Sequence, residues 1–388
     1  MSVNTMSFED ASAILNNIRQ QVTGEASIAP VNTAEFVSVG TTLVQTSPEP
    51  VLNSIMQMVT KTIFSIRPYT RKFGGIKVDS EMWGSIVRKL AVVDKPFEDN
   101  KEFDLVDGQA IDHYIVNKPE ILELKYYGAE SHAKSFTTFK DQLNSAFTGV
   151  SEFNSFLAMV VQNVSDMIEQ SFESIARMII ANYVGGKKVA NNGVIHLLTE
   201  YNAEVGGSYT AVTIMSPANF GDFMKWVYAR IATLTGLMTE RSTEFQINVS
   251  GKPITRHTPY EYQKVYLYAK LLNDMNARVL ADTFHYDFIE FADVEAVNYW
   301  QSIETPMAID VTPAYLDTDG SIKTGAEQNI TNLVGVIFDR EALGYTVMNE
   351  WSATTPLNAS GGYWNTFYHY LLKWWVSYDE KGIILLLD

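Results

Sequence analysis

Apolar residues recur every three or four positions along one uninterrupted stretch of the chain, at Phe153, Phe156, Leu157, Val160, Val164, Met167, Ile168, Phe172, Ile175, Ile179 and Tyr183. That spacing places one continuous apolar stripe on a helix, and no proline interrupts it. The pattern predicts a single helix over Ser151 to Val184, stopped by the adjacent glycines Gly185 and Gly186. At 1.5 Å rise per residue such a helix reaches about 50 Å, well beyond the three or four turns usual in globular domains.

The flanking pattern is different on each side. Phe8, Ile14, Leu15 and Ile18 form a short amphipathic segment behind Ser7, after which a polar stretch punctuated by Gly24, Pro30, Pro48 and Pro50 reads as an extended arm. A helical spacing returns at Leu52, Ile55, Met56, Val59 and Ile63, and predicts a helix over Val51 to Phe64 that ends ahead of Arg67-Pro68. From Arg71 to Tyr127 the texture becomes β-branched and alternating, at Gly74 to Val78, Ser85 to Arg88, Ile111 to Val116 and Ile121 to Tyr126, broken by Gly, Pro and Asp turns.

After the long helix the pattern predicts a strand over Thr210 to Met215 and a helix from Pro217 to about Thr235, with proline in its first turn. Strands and helices then alternate from Phe245 to Glu295, including Tyr260 to Leu272, Val279 to Asp282 and Phe288 to Ala292. Near the end, Leu333 to Phe338 and Leu343 to Met348 read as a strand pair around Asp339-Arg340-Glu341. An aromatic strip follows (Tyr363, Trp364, Phe367, Tyr368, Tyr370, Trp374, Trp375, Tyr378), then a final strand at Ile383 to Leu387. No repeat of fixed period is visible.

Composition narrows the function classes. The 388 residues are 46% hydrophobic and 12% aromatic, enough for well-packed cores, and their length allows two or three domains. A net charge of −16, from 45 acidic against 29 basic residues, argues against a surface that wraps nucleic acid by neutralising phosphates. The absence of cysteine excludes disulfides, thiolate metal sites and a cysteine nucleophile. No basic and apolar leader opens the sequence, and no apolar run approaches the roughly 20 residues that cross a bilayer, so neither export by that route nor membrane insertion is expected.

Charge is also unevenly distributed. Lys61 to Lys89 carries seven basic and two acidic residues, and Asp94 to Glu123 nine acidic and three basic. Such a split suits two arms of one hairpin facing each other, faces offered to different neighbouring molecules, or plain solvated surfaces. The strand-rich segment is too poor in strongly apolar stretches to form a core alone, which favours intermolecular packing. Between Val279 and Ile322 there is no Lys or Arg but nine Asp and Glu, which predicts a strongly acidic surface.

Catalytic motifs are missing. Gly185-Gly186-Lys187-Lys188 lacks the glycine spacing and the Ser or Thr of a phosphate-cradling loop and reads as a helix stop. His113, His132, His196, His257, His285 and His369 are far apart, with no pair at the spacing that puts two imidazoles on one helical face. Asp317 to Gly320 begins like a calcium loop but lacks the later ligands and reads as a turn. No Gly-x-Ser-x-Gly elbow occurs. The aromatic strip could stack on sugar rings or bases, but Leu371, Leu372 and Val376 interleaved in it favour core and interface packing. No residue is assigned to catalysis, to a cofactor or to a metal.

The order of elements, together with Tyr126-Tyr127-Gly128, Phe139 to Phe147, His257-Thr258-Pro259 to Tyr268, Val279 to Phe284 and Gly335 to Leu343, resembles the major capsid protein of tailed bacteriophages, in particular that of small podoviruses. The resemblance covers most of the chain. It implies an α+β, Hong Kong 97-like capsid fold with an N-terminal arm and first helix over 1–64, an extended E-loop over 65–127, and a peripheral domain over 128–205 with its spine helix at 151–184. An axial domain would follow over 206–325, and 326–388 would return to complete the peripheral domain. It also implies a structural, non-enzymatic protein of the virion, made in the host bacterial cytoplasm, that forms hexamers and pentamers of an icosahedral head. Its implied partners are itself, a separate scaffolding protein, a portal protein and packaged double-stranded DNA bound without sequence specificity. The alternatives are an encapsulin-type nanocompartment shell and a carbohydrate-binding or hydrolytic protein using the aromatic strip.

Overall fold

The computed structural model describes residues 8–24, 30–51, 54–55, 72–78, 86–93, 107–108, 114, 118, 120–127, 130–247, 254–282, 294–316 and 321–388. Its helices are α1 (Phe8–Thr23), α2 (Thr33–Thr46), α3 (Lys140–Ala146), α4 (Val150–Ala190), α5 (Leu197–Val205), α6 (Pro217–Thr239) and α7 (Ala269–Asp282). The strands are β1 (Ile86–Val92), β2 (Ile121–Tyr127), β3 (Glu130–Phe139), β4 (Val194–His196), β5 (Gln263–Tyr268), β6 (Val294–Val297), β7 (Ile309–Val311), β8 (Ala314–Leu316), β9 (Ile322–Thr324), β10 (Gln328–Ile330), β11 (Leu333–Asp339), β12 (Leu343–Thr354), β13 (Tyr363–Val376) and β14 (Gly382–Leu386). The predicted helix over Val51 to Phe64, the strands at Ile111 to Val116 and Phe288 to Ala292, and the Asp317 to Gly320 turn lie wholly or mostly outside the described residues.

Helix α4 is the predicted rod, 41 residues long. Phe153, Phe156, Val160, Val164, Ile168, Phe172, Ala176, Ile179, Tyr183 and Val184 are buried along one stripe, each contributing on the order of 1.5–3 kcal/mol for a large side chain. The rod does not stop at Gly185-Gly186. It continues to Ala190 and ends at Asn191, which takes the left-handed conformation (φ 47°) that closes a helix. The two glycines instead allow close approach: a Cβ on Gly185 would stand 2.6 Å from Val311 Cγ1, and one on Gly186 would collide with the Tyr378 hydroxyl.

The stretch read as an extended arm contains a second helix. Helix α2 is capped by Asn32, whose side chain accepts from the Glu35 amide at 2.9 Å and donates to the Glu35 carboxylate at 3.2 Å. It packs with α1 on the first turns of α4 through Phe36, whose ring lies 5.7 Å from Phe153 and 6.5 Å from Phe8. Gly40 sits in the middle of α2 because the Phe147 ring occupies the space of a Cβ, at 2.6 Å.

A five-stranded sheet, in the order β4-β14-β11-β5-β6, lies between the C-terminal end of α4 and helices α5, α6 and α7. Both faces are apolar. Tyr266, Val336, Phe338, Ile384 and Leu386 point to the α4 side, whereas Val265, Leu267, Ile337, Ile383 and Leu385 point to the other. In β11 a register shift between Leu333 and Gly335 switches the alternation, so Leu333 and Val336 share one face although three positions apart. This explains the near-continuous apolar run in β11 and β14, which a sheet covered on both faces requires.

A three-stranded antiparallel sheet, β12-β13-β3, covers the middle of α4. Trp364, Thr366, Tyr368, Tyr370 and Leu372 alternate inward along β13, and Phe172 of α4 meets the Tyr370 ring edge-on at 5.5 Å and Tyr345 at 6.0 Å. The predicted pairing of Leu333–Phe338 with Leu343–Met348 does not form. The tight Asp339–Glu341 turn sends β11 into the five-stranded sheet and β12 into the three-stranded one. Thr210–Met215 is not a strand either. The Thr213 hydroxyl accepts from the Thr210 amide at 2.7 Å and the Thr210 hydroxyl from the Thr213 amide at 3.2 Å, giving the chain a turn in place of a ladder. Helix α6 extends four residues past its predicted end, and Val279–Asp282 forms the last turn of α7 rather than a separate element.

Where the rod meets the sheet, the Tyr183 hydroxyl fills the space beside Gly382 and has no hydrogen-bond partner among the described residues. Gly382→Ala should therefore lower stability by about 1–3 kcal/mol in urea unfolding. Tyr183→Phe in the same background should recover part of that loss, and an unchanged midpoint for the single variant contradicts this packing.

Candidate assembly surfaces

Strands β1 and β2 form a two-stranded antiparallel hairpin in which Lys89 pairs with Leu124, Ala91 with Leu122 and Val92 with Ile121. The alternation gives it two unlike faces. Ala91 and Val93 are buried and Leu122, Leu124 and Tyr126 half-buried toward the body. On the opposite face Leu90, Val92 and Ile121 are 63%, 59% and 60% exposed, beside a Glu123–Lys125 ion pair at 2.9 Å. Three aliphatic side chains exposed side by side on a ribbon form an apolar patch that no described residue covers.

The hairpin is fastened to the turn between β13 and β14. Tyr126 donates to the Ser377 hydroxyl at 2.7 Å, and Lys89 forms ion pairs with Asp379 at 3.5 Å and with Glu380. From the other side Arg256 holds Asp379 at 2.8 Å and Glu380 at 3.5 Å. The basic arm thus spends Lys89 on this turn, and most of the acidic arm lies outside the described residues. Burial works against the charge on Asp379, yet Lys89, the Ser377 hydroxyl and Arg256 together hold its carboxyl below the usual range. For Glu380 burial wins and pushes the carboxyl up, against Lys89 and Arg256.

Lys187, in the last turn of α4, is wholly buried next to this turn. Its ammonium group donates to the Phe245 carbonyl at 2.6 Å and to the Asn192 side chain at 3.2 Å. Burial pulls its pKa down to about 7, with only Asp379 acting against the shift.

A second surface is the outer side of the three-stranded sheet. The positions Asn349, Trp351 and Ala353 of β12, Tyr363 to Leu371 at alternate places in β13, and Ser131 to Phe139 at alternate places in β3 carry no Asp, Glu, Lys or Arg. Trp351, 52% exposed, stacks on His369 at 3.9 Å. Of the aromatic strip, Trp364, Tyr368 and Tyr370 are buried against α4 and offer no stacking platform to a sugar, whereas Tyr363 and Phe367 belong to this outer side and are half-buried.

The histidines do not converge. His132 lies 3.6 Å from Glu130 on β3, His196 contacts Asp388, His257 is exposed, and His113 and His285 fall outside the described residues. Among the described residues no group of His, Asp or Glu has the arrangement of a metal site, and no helix is long and apolar enough to cross a membrane. A cleft of about 490 Å³ beside α4 is lined by Arg177, Asn182, Asp310 and Trp374. Its one cation, Arg177, is engaged with Glu173 at 2.7 Å, the Trp300 carbonyl at 3.0 Å and the Tyr299 ring at 3.8 Å. Of the predicted acidic run, Glu304 and Asp310 are exposed and Glu295 is half-buried, and most of the other positions lie outside the described residues.

A profile of the Phi29-like phage major capsid protein matches residues 12–380. The chain belongs to that family. It is a structural protein of the bacteriophage head that assembles with copies of itself into a capsid, and a non-enzymatic role follows from the family. Solved structures agree on the fold. A chain of the capsid of Staphylococcus phage Andhra aligns with a TM-score of 0.53 at 14% identity, over 83% of this chain and 86% of that one. A chain from the structure of the head fiber and inner core protein gp22 of native bacteriophage P68 aligns with 0.54 at 12% identity, over 82% and 85%. No functionally curated protein matches the sequence. The fold is the Hong Kong 97-type capsid fold expected from the order of elements, and the encapsulin and carbohydrate-active alternatives have no support. No signal in the sequence marked the Lys89–Arg256–Asp379–Glu380 cluster of the capsid protein, because its members are far apart and individually ordinary.

The buried lysine sets a pH dependence. Its pKa is about 7 in the folded chain and 10.5 when unfolded, so between these values the unfolded chain binds the extra proton and stability rises with pH. Lys187→Met should remove that contribution: the wild-type melting temperature should climb more steeply than the variant's from pH 7 to about pH 9.5. Parallel curves would show that Lys187 titrates normally.

Proposed function

We propose that the capsid protein forms the hexamers and pentamers of an icosahedral head around double-stranded DNA, with residues 65–127 acting as an E-loop laid on a neighbouring copy. The observation that carries this reading is the uncovered Leu90–Val92–Ile121 face of a hairpin whose other face is anchored to the body. An apolar ribbon face gains its buried surface from another chain, and closed symmetry lets every copy both give and receive that contact. In this reading residues 1–64 form the N-terminal arm, 128–205 and 326–388 the peripheral domain around the spine helix, and 206–325 the axial domain. The five-stranded sheet joins the last two, since β5 and β6 come from the axial segment and β4, β11 and β14 from the peripheral ones.

A separate scaffolding protein would set shell size, and a portal protein would occupy one vertex. DNA would be confined without sequence-specific contacts, in keeping with a net charge of −16. Synthesis would take place in the host cytoplasm. Coexpression with the scaffolding protein of the same phage should give closed shells by negative-stain microscopy. Val92→Asp should leave a folded subunit, with an unchanged melting temperature, that fails to close shells, because it places a charge on the face to be buried. Normal shells from Val92→Asp would remove the hairpin from the interface.

A further inference from the structure

We propose that the Ser377–Glu380 turn is a latch that sets the direction in which the hairpin leaves the subunit, and that this direction fixes the curvature of the assembled shell. The second half rests on the reading of the hairpin as a bridge between copies; the first half concerns a single subunit.

The latch grips both strands. Lys89 of β1 and Tyr126 of β2 are on the body-facing side of the ribbon, and both end on the same turn, Lys89 at Asp379 and Glu380 and Tyr126 at Ser377. A ribbon held by one strand can rotate about that attachment, whereas one held by both strands has its roll and tilt defined. The receiving side is rigid. Asp379 and Glu380 are 4% and 5% exposed, and Ser377 bonds Asp379 and donates its amide to the Ala342 carbonyl at 2.5 Å. Lys381 donates to the Glu240 carbonyl at 2.6 Å and to Ser242 at 2.8 Å, and Tyr378 to the Asn182 carbonyl of α4 at 3.0 Å.

The charges fit a clip that depends on occupancy. Two buried carboxylates face two cations, Lys89 from the hairpin and Arg256 from the body. Withdrawing Lys89 leaves Arg256 alone against both, and an uncompensated buried carboxylate is costly, so the hairpin has one favoured docked position. Val92 and Ile121, side chains that would meet a neighbour, stand three and five residues along the ribbon from Lys89 and Tyr126, so a rotation at the turn displaces them.

The test uses hydrogen exchange on the unassembled subunit and electron microscopy of shells, with Lys89→Met and Tyr126→Phe made separately. Exchange at the β1 and β2 amides should rise by about tenfold in each variant, with the buried amides of α4 unchanged. Shells should lose their single diameter. Unchanged exchange in both variants overturns the latch, and faster exchange with shells of uniform native diameter overturns its control of curvature. Tyr126→Phe keeps the ring and removes only the hydroxyl, so it decides the matter if Lys89→Met does not fold. If the wild type itself forms no shells, the bridging reading fails while the exchange result still judges the latch.

Discussion

Everything in this subunit converges on one requirement: the charges buried at the β13–β14 turn have to be matched. Asp379 and Glu380 face Lys89 and Arg256, while Lys187 and Lys381 donate hydrogen bonds to the backbone carbonyls of Phe245 and Glu240. These partners come from the hairpin, the segment after α6, the spine helix and the turn itself. Removing one partner from a buried pair is far more costly than the pair is worth, so the network favours the arrangement in which all four segments are present. It contributes specificity of assembly within the chain more than net stability.

The long helix sets the scale on which that network is built. Its N-terminal turns receive α1 and α2 through Phe153, its middle receives the three-stranded sheet through Phe172, and its end receives the five-stranded sheet through Tyr183 and the glycines beside it. A rod of 41 residues spans roughly 60 Å and cannot be shortened without separating those three regions. The glycine pair shows how the same residue type serves opposite ends. Gly185 and Gly186 cost helix propensity, and what they give in return is a helix backbone close enough for Val311 and Tyr378 to pack on it.

What could be read in the sequence was periodic. The rod, the strands at Ile121 to Tyr126 and Leu333 to Phe338, and the order of elements that resembles a capsid protein are read from spacing, which is local and repeated. What could not be read was decided by partners. The glycine pair looks like a stop unless Tyr378 is known to lie against it, and β11 and β12 look like a hairpin unless each is seen to have a better neighbour. Thr210–Met215 has strand propensity that its own hydroxyls override. Helix α2 is the instructive case, because its Asn32-x-x-Glu35 cap was present in the sequence but the β-branched residues and Gly40 that follow obscured it. The latch carries no local signature at all.

The uncovered hairpin face also bears on how tightly copies can hold one another. Burying what remains exposed of Leu90, Val92 and Ile121 gains on the order of 3–5 kcal/mol at the usual area coefficient. Bringing two subunits together costs about 4–15 kcal/mol in lost freedom of motion. On the proposed reading a single contact is therefore near break-even, and an isolated pair of subunits would separate readily. Closure changes this, since a subunit already held by its other neighbours makes the next contact at a high effective concentration. Weak contacts made many times allow errors to be undone before the shell closes, and they make the direction of the hairpin matter more than its stickiness: a misdirected ribbon loses the multiplicity on which its binding depends.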